Sequence, residues 1–203
     1  MKLYDGGLAP NPRRVRIFMA EKGIDIPLEP VDMTQLGHKS DEITRRNPLQ
    51  RLPILELNDG TIISESVAIC RYLERLHPEP PLMGVGAKDE AIVEMWQRRM
   101  EMNFLLLVAN VFRHAHRAMA EWEVPQIKEF SESNRPKVMK TLEWLNDELS
   151  EREFIAGDRY TIADITALVS MDFMKPARLE TPPEFTNLLA WHERVRSRPS
   201  AKA

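Results

Sequence analysis

The chain has one cysteine in 203 residues, Cys70. That excludes a disulfide framework and a cysteine-held zinc site, and it fits a reducing compartment. No apolar run approaches the ~18 residues that a membrane-spanning helix needs. The sequence opens at once on strand-like "KLYD", with no charged leader ahead of an apolar stretch, so no signal peptide is expected and the protein reads as cytoplasmic. An excess of one charge is missing too. Lys and Arg number 28 and Asp and Glu 31, for a formal net charge of −3. The arginines at 13, 14 and 16 are a local cluster without interleaved aromatics, which argues against nucleic acid. Internal repeats, low-complexity tracts and strand patterns beyond residue 87 are absent. The first turn, "GGLAP" at 6–10, contains no Ser, Thr, Cys or Tyr.

Hydrophobic content of 43% and charged content of 29% describe an ordinary soluble globular protein. The length suits one large or two small domains, each able to bury a core. The first 77 residues mix strand and helix signals. "MKLYD" reads as a strand and "IPLEPVD" as a second extended run. Between them Asn11 reads as an N-cap, Pro12 as the first helical residue and Gly23 as the stop. "SDEITRRN" is a short helical turn. "LPILEL" and "TIIS" flank an "NDG" turn and predict a hairpin. "SESVAICRYLERLH" then carries Ile69, Leu73 and Leu76 on one helical stripe. A helix between the first two strands predicts a parallel βαβ unit, with the hairpin as an antiparallel addition.

"HPEPPLMGVG", 77–86, holds three prolines and two glycines in ten residues and reads as a break. The predicted organisation is an α/β domain over 1–78, a linker over 79–87 and an all-helical domain over 88–203. Residues 87–121 predict one long helix or a kinked pair. From Pro136, the residues Val138, Leu142, Leu145 and Leu149 form an apolar stripe. "IADITALVSMDFM" is apolar on nearly every side and predicts a buried central helix. Thr161 and Asp164 ahead of it resemble a capping box, with Tyr160 and Ile165 as a hydrophobic staple. A last amphipathic helix is expected over 185–197.

Four stretches carry candidate chemistry. A helix start after a strand is an anion site, because free N–H groups and the macrodipole point there. In "NPLQRLPIL", 47–55, Pro53 opens a strand. A cis bond would turn the Leu52 backbone outward toward an extended ligand. Taken alone, Pro53 also reads as an ordinary strand-entry proline. "ISES", 63–66, sets Glu65 and Ser66 at the mouth of the next helix, either as ligands for a carboxylate or as a capping pair with Ser64 or Ser66 as N-cap. His38, Lys39 and Arg51 lie in flanking loops as surface charge or as an anion-binding rim.

Together these pieces resemble the cytosolic glutathione transferase family over essentially the whole chain. "NPLQRLPIL" followed by "ISESVAICRYLE", and "FIAGDRYTIADI" in the helical half, carry the likeness. The resemblance implies a thioredoxin-like N-terminal domain, an all-helical C-terminal domain, glutathione as co-substrate without a metal, and a homodimer acting on a small electrophile. It places the backbone of Leu52 beside a cis Pro53 against the cysteinyl unit of glutathione. Glu65 and Ser66 would hold the γ-glutamyl end, and His38, Lys39 and Arg51 would lie near the glycine carboxylate. Many members have a Ser or Cys where this chain has Ala9. The thiolate is then left to the helix start, to Asn11 and to a group from the first helix of the second domain, where "NVFRHAHRAM" offers His114, His116 and Arg113. His114, acting through water, and Asn11 are the expected catalytic residues. Met100, Phe104, Leu107 and Phe112 are candidates for the electrophile pocket. Disulfide reduction or isomerisation on the same site, and a scaffold that kept the fold without the chemistry, are the alternatives.

Overall fold

Four short strands, β1 (Lys2–Asp5), β2 (Leu28–Pro30), β3 (Ile54–Glu56) and β4 (Ile62–Ser64), form one sheet in the order β2-β1-β3-β4. The computed structural model describes residues 1–203. β1 pairs parallel with β2, Leu3 opposite Leu28, and antiparallel with β3, Leu3 opposite Leu55. The expected hairpin joins β3 to β4, Leu55 opposite Ile63. The inner strands bury Leu3, Tyr4, Ile54 and Leu55, whereas the edge strand β2 is exposed throughout. At one corner of the sheet Tyr4 donates its hydroxyl to Glu56 over 2.9 Å, and Arg46 bonds the same carboxylate oxygen.

Helix α1 (Pro10–Lys22) joins β1 to β2 and buries Val15, Ile17 and Phe18. It starts earlier than the sequence suggests. Ala9 is the N-cap, without a side-chain bond, so Asn11 is the second helical residue and Pro12 the third. Pro10 has its φ already set for a first helical position, which draws the helix two residues back toward it. Gly23 ends α1 at φ 63, a left-handed backbone that glycine adopts without a side-chain clash. Helix α2 (Asp41–Arg46) is capped by Ser40, whose Oγ accepts the Ile43 N–H. Helix α3 (Ser66–Leu76) buries Ile69, Cys70 and Leu73. Neither Ser64 nor Ser66 caps α3: Glu65 is the N-cap, at φ 69, with no side-chain cap bond. Lys22 clasps the far end of α3. Its Nζ donates to the carbonyls of His77 and Pro80, both at 2.7 Å, and pairs with Glu74 at 2.6 Å.

The chain divides into Met1–Leu82 with Pro199–Ala203, and Met83–Arg198. The last five residues therefore part from the expected grouping of 88–203. Arg13 donates to the Ala201 carbonyl over 2.9 Å, and Ser200 bonds the Glu21 carboxylate, which fastens the tail to α1.

The second unit is helical: α4 (Gly86–Met100), α5 (Leu106–Ala115), α6 (Lys128–Glu148), α7 (Ile162–Met174) and α8 (Thr186–Arg196). α4 begins inside the stretch expected to be linker, where Asp89 accepts the Val85 N–H over 2.6 Å. A π-turn over Glu101–Leu105 joins α4 to α5, so the expected long helix is one run with a bulge. α6 starts eight residues before Pro136 and passes through it. A proline inside a helix costs one backbone hydrogen bond, and here Val138, Leu142 and Leu145 stay fully buried on one stripe beyond it. α7 is the central helix, with eleven of its thirteen residues buried. Its polar members are satisfied: Thr166 donates to Gln97 and Ser170 to the Thr166 carbonyl, both at 2.6 Å. The capping box is present, with Asp164 accepting the Thr161 N–H at 2.9 Å and Thr161 Oγ1 accepting the Ala163 N–H. Asp164 also accepts from Ile155 N–H at 2.9 Å and from the Trp191 indole at 3.0 Å, which ties α7 to α8.

Candidate active site

The turn between β1 and α1 is built by Asp5 and Arg16. Asp5 accepts the Gly7 N–H at 3.0 Å and pairs with Arg16, which donates to the Gly7 carbonyl at 3.0 Å. A Cβ on Gly6 would lie 2.6 Å from Met33 sulfur and 3.2 Å from both Leu52 and Pro12. A side chain there would have to displace the end of Met33, and the same contacts bring the first turn, the start of α1 and Leu52 together. The Leu52–Pro53 peptide is cis. Leu52 buries its side chain with Tyr4, Ile43 and Ile54. It lies outside β3, and its backbone N–H and C=O bond no backbone group of the chain.

Across from this segment is the start of α3. Arg14, fully enclosed, donates from Nη1 to Ser66 Oγ over 2.8 Å, which holds the start of α3 against α1. Glu65 is exposed and held at positive φ, a conformation that costs a non-glycine residue ~1–3 kcal/mol and tends to occur at functional sites. The first backbone bond of α3 runs from Ile69 N–H to the Glu65 carbonyl, which leaves the N–H groups of Ser66, Val67 and Ala68 pointing out of the helix end.

The basic rim divides. Lys39 and Arg51 are exposed, but His38 is buried. Burial first, then the charges of Lys39 and Arg51, hold the His38 imidazole below its ordinary pKa. Two cations, not three, therefore face solvent here.

Helix α1 offers fewer anion-binding groups than its position suggests. Pro10 and Pro12 have no N–H, and Arg13 N–H is spent on the Ala9 carbonyl at 3.1 Å. Asn11 alone among the first three helical residues has an N–H, and its side chain adds an amide. Tyr4 is engaged with Glu56. Burial pushes the Cys70 thiol up to about 12, so that thiol stays protonated and unreactive.

In the helical unit His114 is engaged with its own chain through one ring nitrogen. Nδ1 accepts the Ile127 N–H at 3.1 Å and Nε2 lies 3.7 Å from Glu123, with the Phe130 ring edge-on. Nδ1 is thus spent as an acceptor on the segment after α5, which braces that segment. His116 ends α5, stacks on Phe112 and accepts the Ala118 N–H. Of the expected pocket lining, Met100 and Phe104 are fully buried in the helical core.

Residues 9–76 match the family model described as Glutathione S-transferase, N-terminal domain, and residues 96–199 that of the C-terminal domain. Glutathione S-transferase 2 of Saccharomyces cerevisiae is 34% identical over 205 residues, 100% of this chain and 88% of that protein. The chain belongs to the glutathione S-transferase family. Solved transferase structures agree. A glutathione S-transferase domain-containing protein of Marinobacter aquaeolei is 38% identical with a TM-score of 0.95, covering 98% of this chain and 99% of that one. Gtt2 of Saccharomyces cerevisiae is 34% identical, also at 0.95, covering 100% and 99%. The chain is an enzyme of the glutathione S-transferase type with a thioredoxin-like first unit, and the scaffold alternative is set aside.

Within this transferase, the sequence pattern did not distinguish the arginine cluster. Arg13, Arg14 and Arg16 each have a separate structural partner: the tail, Ser66 and the first turn. At about 100° per residue Arg14 stands apart from Arg13 and Arg16, which share a face, so the spacing by itself does not separate their three roles.

Proposed function

We propose that this transferase binds glutathione along Leu52–Pro53 and conjugates its thiolate to a small, mostly apolar electrophile. The observation that carries this is the meeting in one unit of an open Leu52 backbone, the unpaired N–H groups at the head of α3, and the start of α1. An extended tripeptide with a carboxylate at each end suits such a surface. Leu52 pairs with the cysteinyl unit as an added strand would. Glu65, Ser66 and the N–H groups at the head of α3 take the γ-glutamyl end. Lys39 and Arg51 attract the glycine carboxylate, while His38 supports the loop as a neutral ring. In the reaction the sulfur lone pair forms a bond to the electrophilic carbon, the leaving group departs with its electron pair, and the thiol proton passes to solvent. A cytoplasmic setting and a two-fold homodimer belong to the same proposal.

The thiolate needs a stabiliser, since Ala9 has no hydroxyl. Lowering a thiol from ~8.5 by roughly two units requires about 2.7 kcal/mol of preference for the anion. A partly buried helix N-terminus supplies up to ~2 kcal/mol, and one good hydrogen bond about 1 kcal/mol more. Asn11 is assigned that bond, because it is the one N–H bearer among the first three helical residues and has no capping duty. The test is the pKa of bound glutathione, titrated by thiolate ultraviolet absorbance. Asn11→Asp is expected to raise it by about one unit or more, through a like charge beside the sulfur. Ala9→Ser is expected to lower it. His114→Ala is expected to leave it unmoved while destabilising the helical unit. An unshifted value in Asn11→Asp overturns the assignment of Asn11, and failure of the wild type to bind glutathione overturns the whole proposal.

A further inference from the structure

The Arg14–Ser66 contact has a fixed polarity. A guanidinium has only donors, so in the 2.8 Å bond Ser66 Oγ must accept. Its own proton is then turned away from Arg14, and Ser66 Oγ donates to no group of the chain. Both residues are withdrawn from water, Arg14 at 0% and Ser66 at 5% exposure. Ser66 is also the first residue of α3, beside N–H groups that point the same way out of the helix end. An unspent hydroxyl proton on a nearly buried side chain at that place is a donor awaiting an acceptor.

We propose that Arg14 is a positioning residue of this transferase, which holds Ser66 as a donor so that the head of α3 selects a carboxylate. The proposal rests on the placement of the γ-glutamyl end of glutathione at Ser66. Arg14 does not touch the ligand. It occupies one acceptor site of the hydroxyl and thereby directs the proton toward the ligand carboxylate. Without it the hydroxyl can rotate and turn a lone pair to the anion instead.

The test is a double-mutant cycle on glutathione affinity, measured by calorimetry with Arg14→Lys and Ser66→Ala. Lysine keeps the charge but its head group is one bond shorter and carries no fork, so it falls short of Ser66 Oγ. Ser66→Ala is expected to weaken binding roughly tenfold and Arg14→Lys roughly fivefold, since each spoils one charge-assisted hydrogen bond. The double variant should bind no more weakly than Ser66→Ala alone. A second probe is the glutathione analogue with hydrogen in place of the γ-glutamyl α-carboxylate. Wild type and Arg14→Lys should bind it alike, a result that general loosening of the fold would not produce. Equal losses for Arg14→Lys with and without Ser66, or an equal loss with the analogue, overturn the role of Arg14 while leaving the glutathione site standing. A wild type that binds glutathione and the analogue equally well overturns the placement of the γ-glutamyl end, and the proposal with it. If Arg14→Lys does not fold, Arg14→Gln completes the same cycle.

Discussion

Asp164 is wholly buried at the head of the central helix and receives N–H groups from Ile155, Thr161 and Trp191. Burial is the largest influence on its carboxyl and pushes it up to about 6, against the opposing pull of those hydrogen bonds. In the unfolded chain the value is ~3.9. Between these two values the native state holds a proton that the unfolded state has released. The contribution of Asp164 to stability is therefore fully present below about pH 4 and is lost as pH rises through about 6. A difference of roughly two pH units corresponds to about 2.8 kcal/mol. Asp164→Asn removes the titration. Its amide can retain the Ile155 and Trp191 bonds through one oxygen, but it then sets an NH₂ against the Thr161 N–H, which costs ~1–3 kcal/mol for a buried unsatisfied donor. The variant is expected to be less stable than wild type by that amount near pH 4, with the gap narrowing by about 2.8 kcal/mol, or roughly 6–11 °C, by pH 7.5. Melting followed by circular dichroism, with tryptophan fluorescence as a second probe, measures it at both pH values. A gap that widens with rising pH would falsify the reasoning, because the hydrogen bonds would then outweigh burial.

Lys39→Gln or Arg51→Gln should each raise the KM for glutathione, more at low salt than at high, since exposed charges are screened over a Debye length of ~10 Å at 0.1 M. Salt-independent kinetics in both variants would remove them from the glycine carboxylate. Glu65→Gly relieves a non-glycine residue at φ 69, worth about 1 kcal/mol, and this offsets the entropy cost of glycine, about 0.5–1 kcal/mol. The melting temperature should hold while the glutathione Kd rises; a lower melting temperature with unchanged Kd would show that Glu65 serves the fold and not the ligand.

The sequence by itself determined the elements whose cause lies within a few residues. The stop at Gly23, the short helix in "SDEITRRN", the hairpin at "NDG" and the Thr161–Asp164 box depend on contacts between near neighbours, and each is where the local pattern puts it. The stripes of Ile69 with Leu73, and of Val138, Leu142 and Leu145, meet the core for the same reason. Local rules also compete, and there the tertiary structure decided. Either proline suits the head of α1, and the helix took Pro10, which freed Asn11 from capping. Charge alone does not tell a rim cation from a core ring, so His38 reads as a surface base until packing buries it. His114 offers its nitrogens to a substrate or to its own chain, and the Ile127 N–H takes one of them. The arginines are the clearest case. Arg14 meets Ser66, 52 residues on, and Arg13 meets Ala201, 188 residues on. No periodicity reports such partners, because a long side chain bonds whatever the fold sets within its reach, and that is known only once sheet, helices and tail have packed.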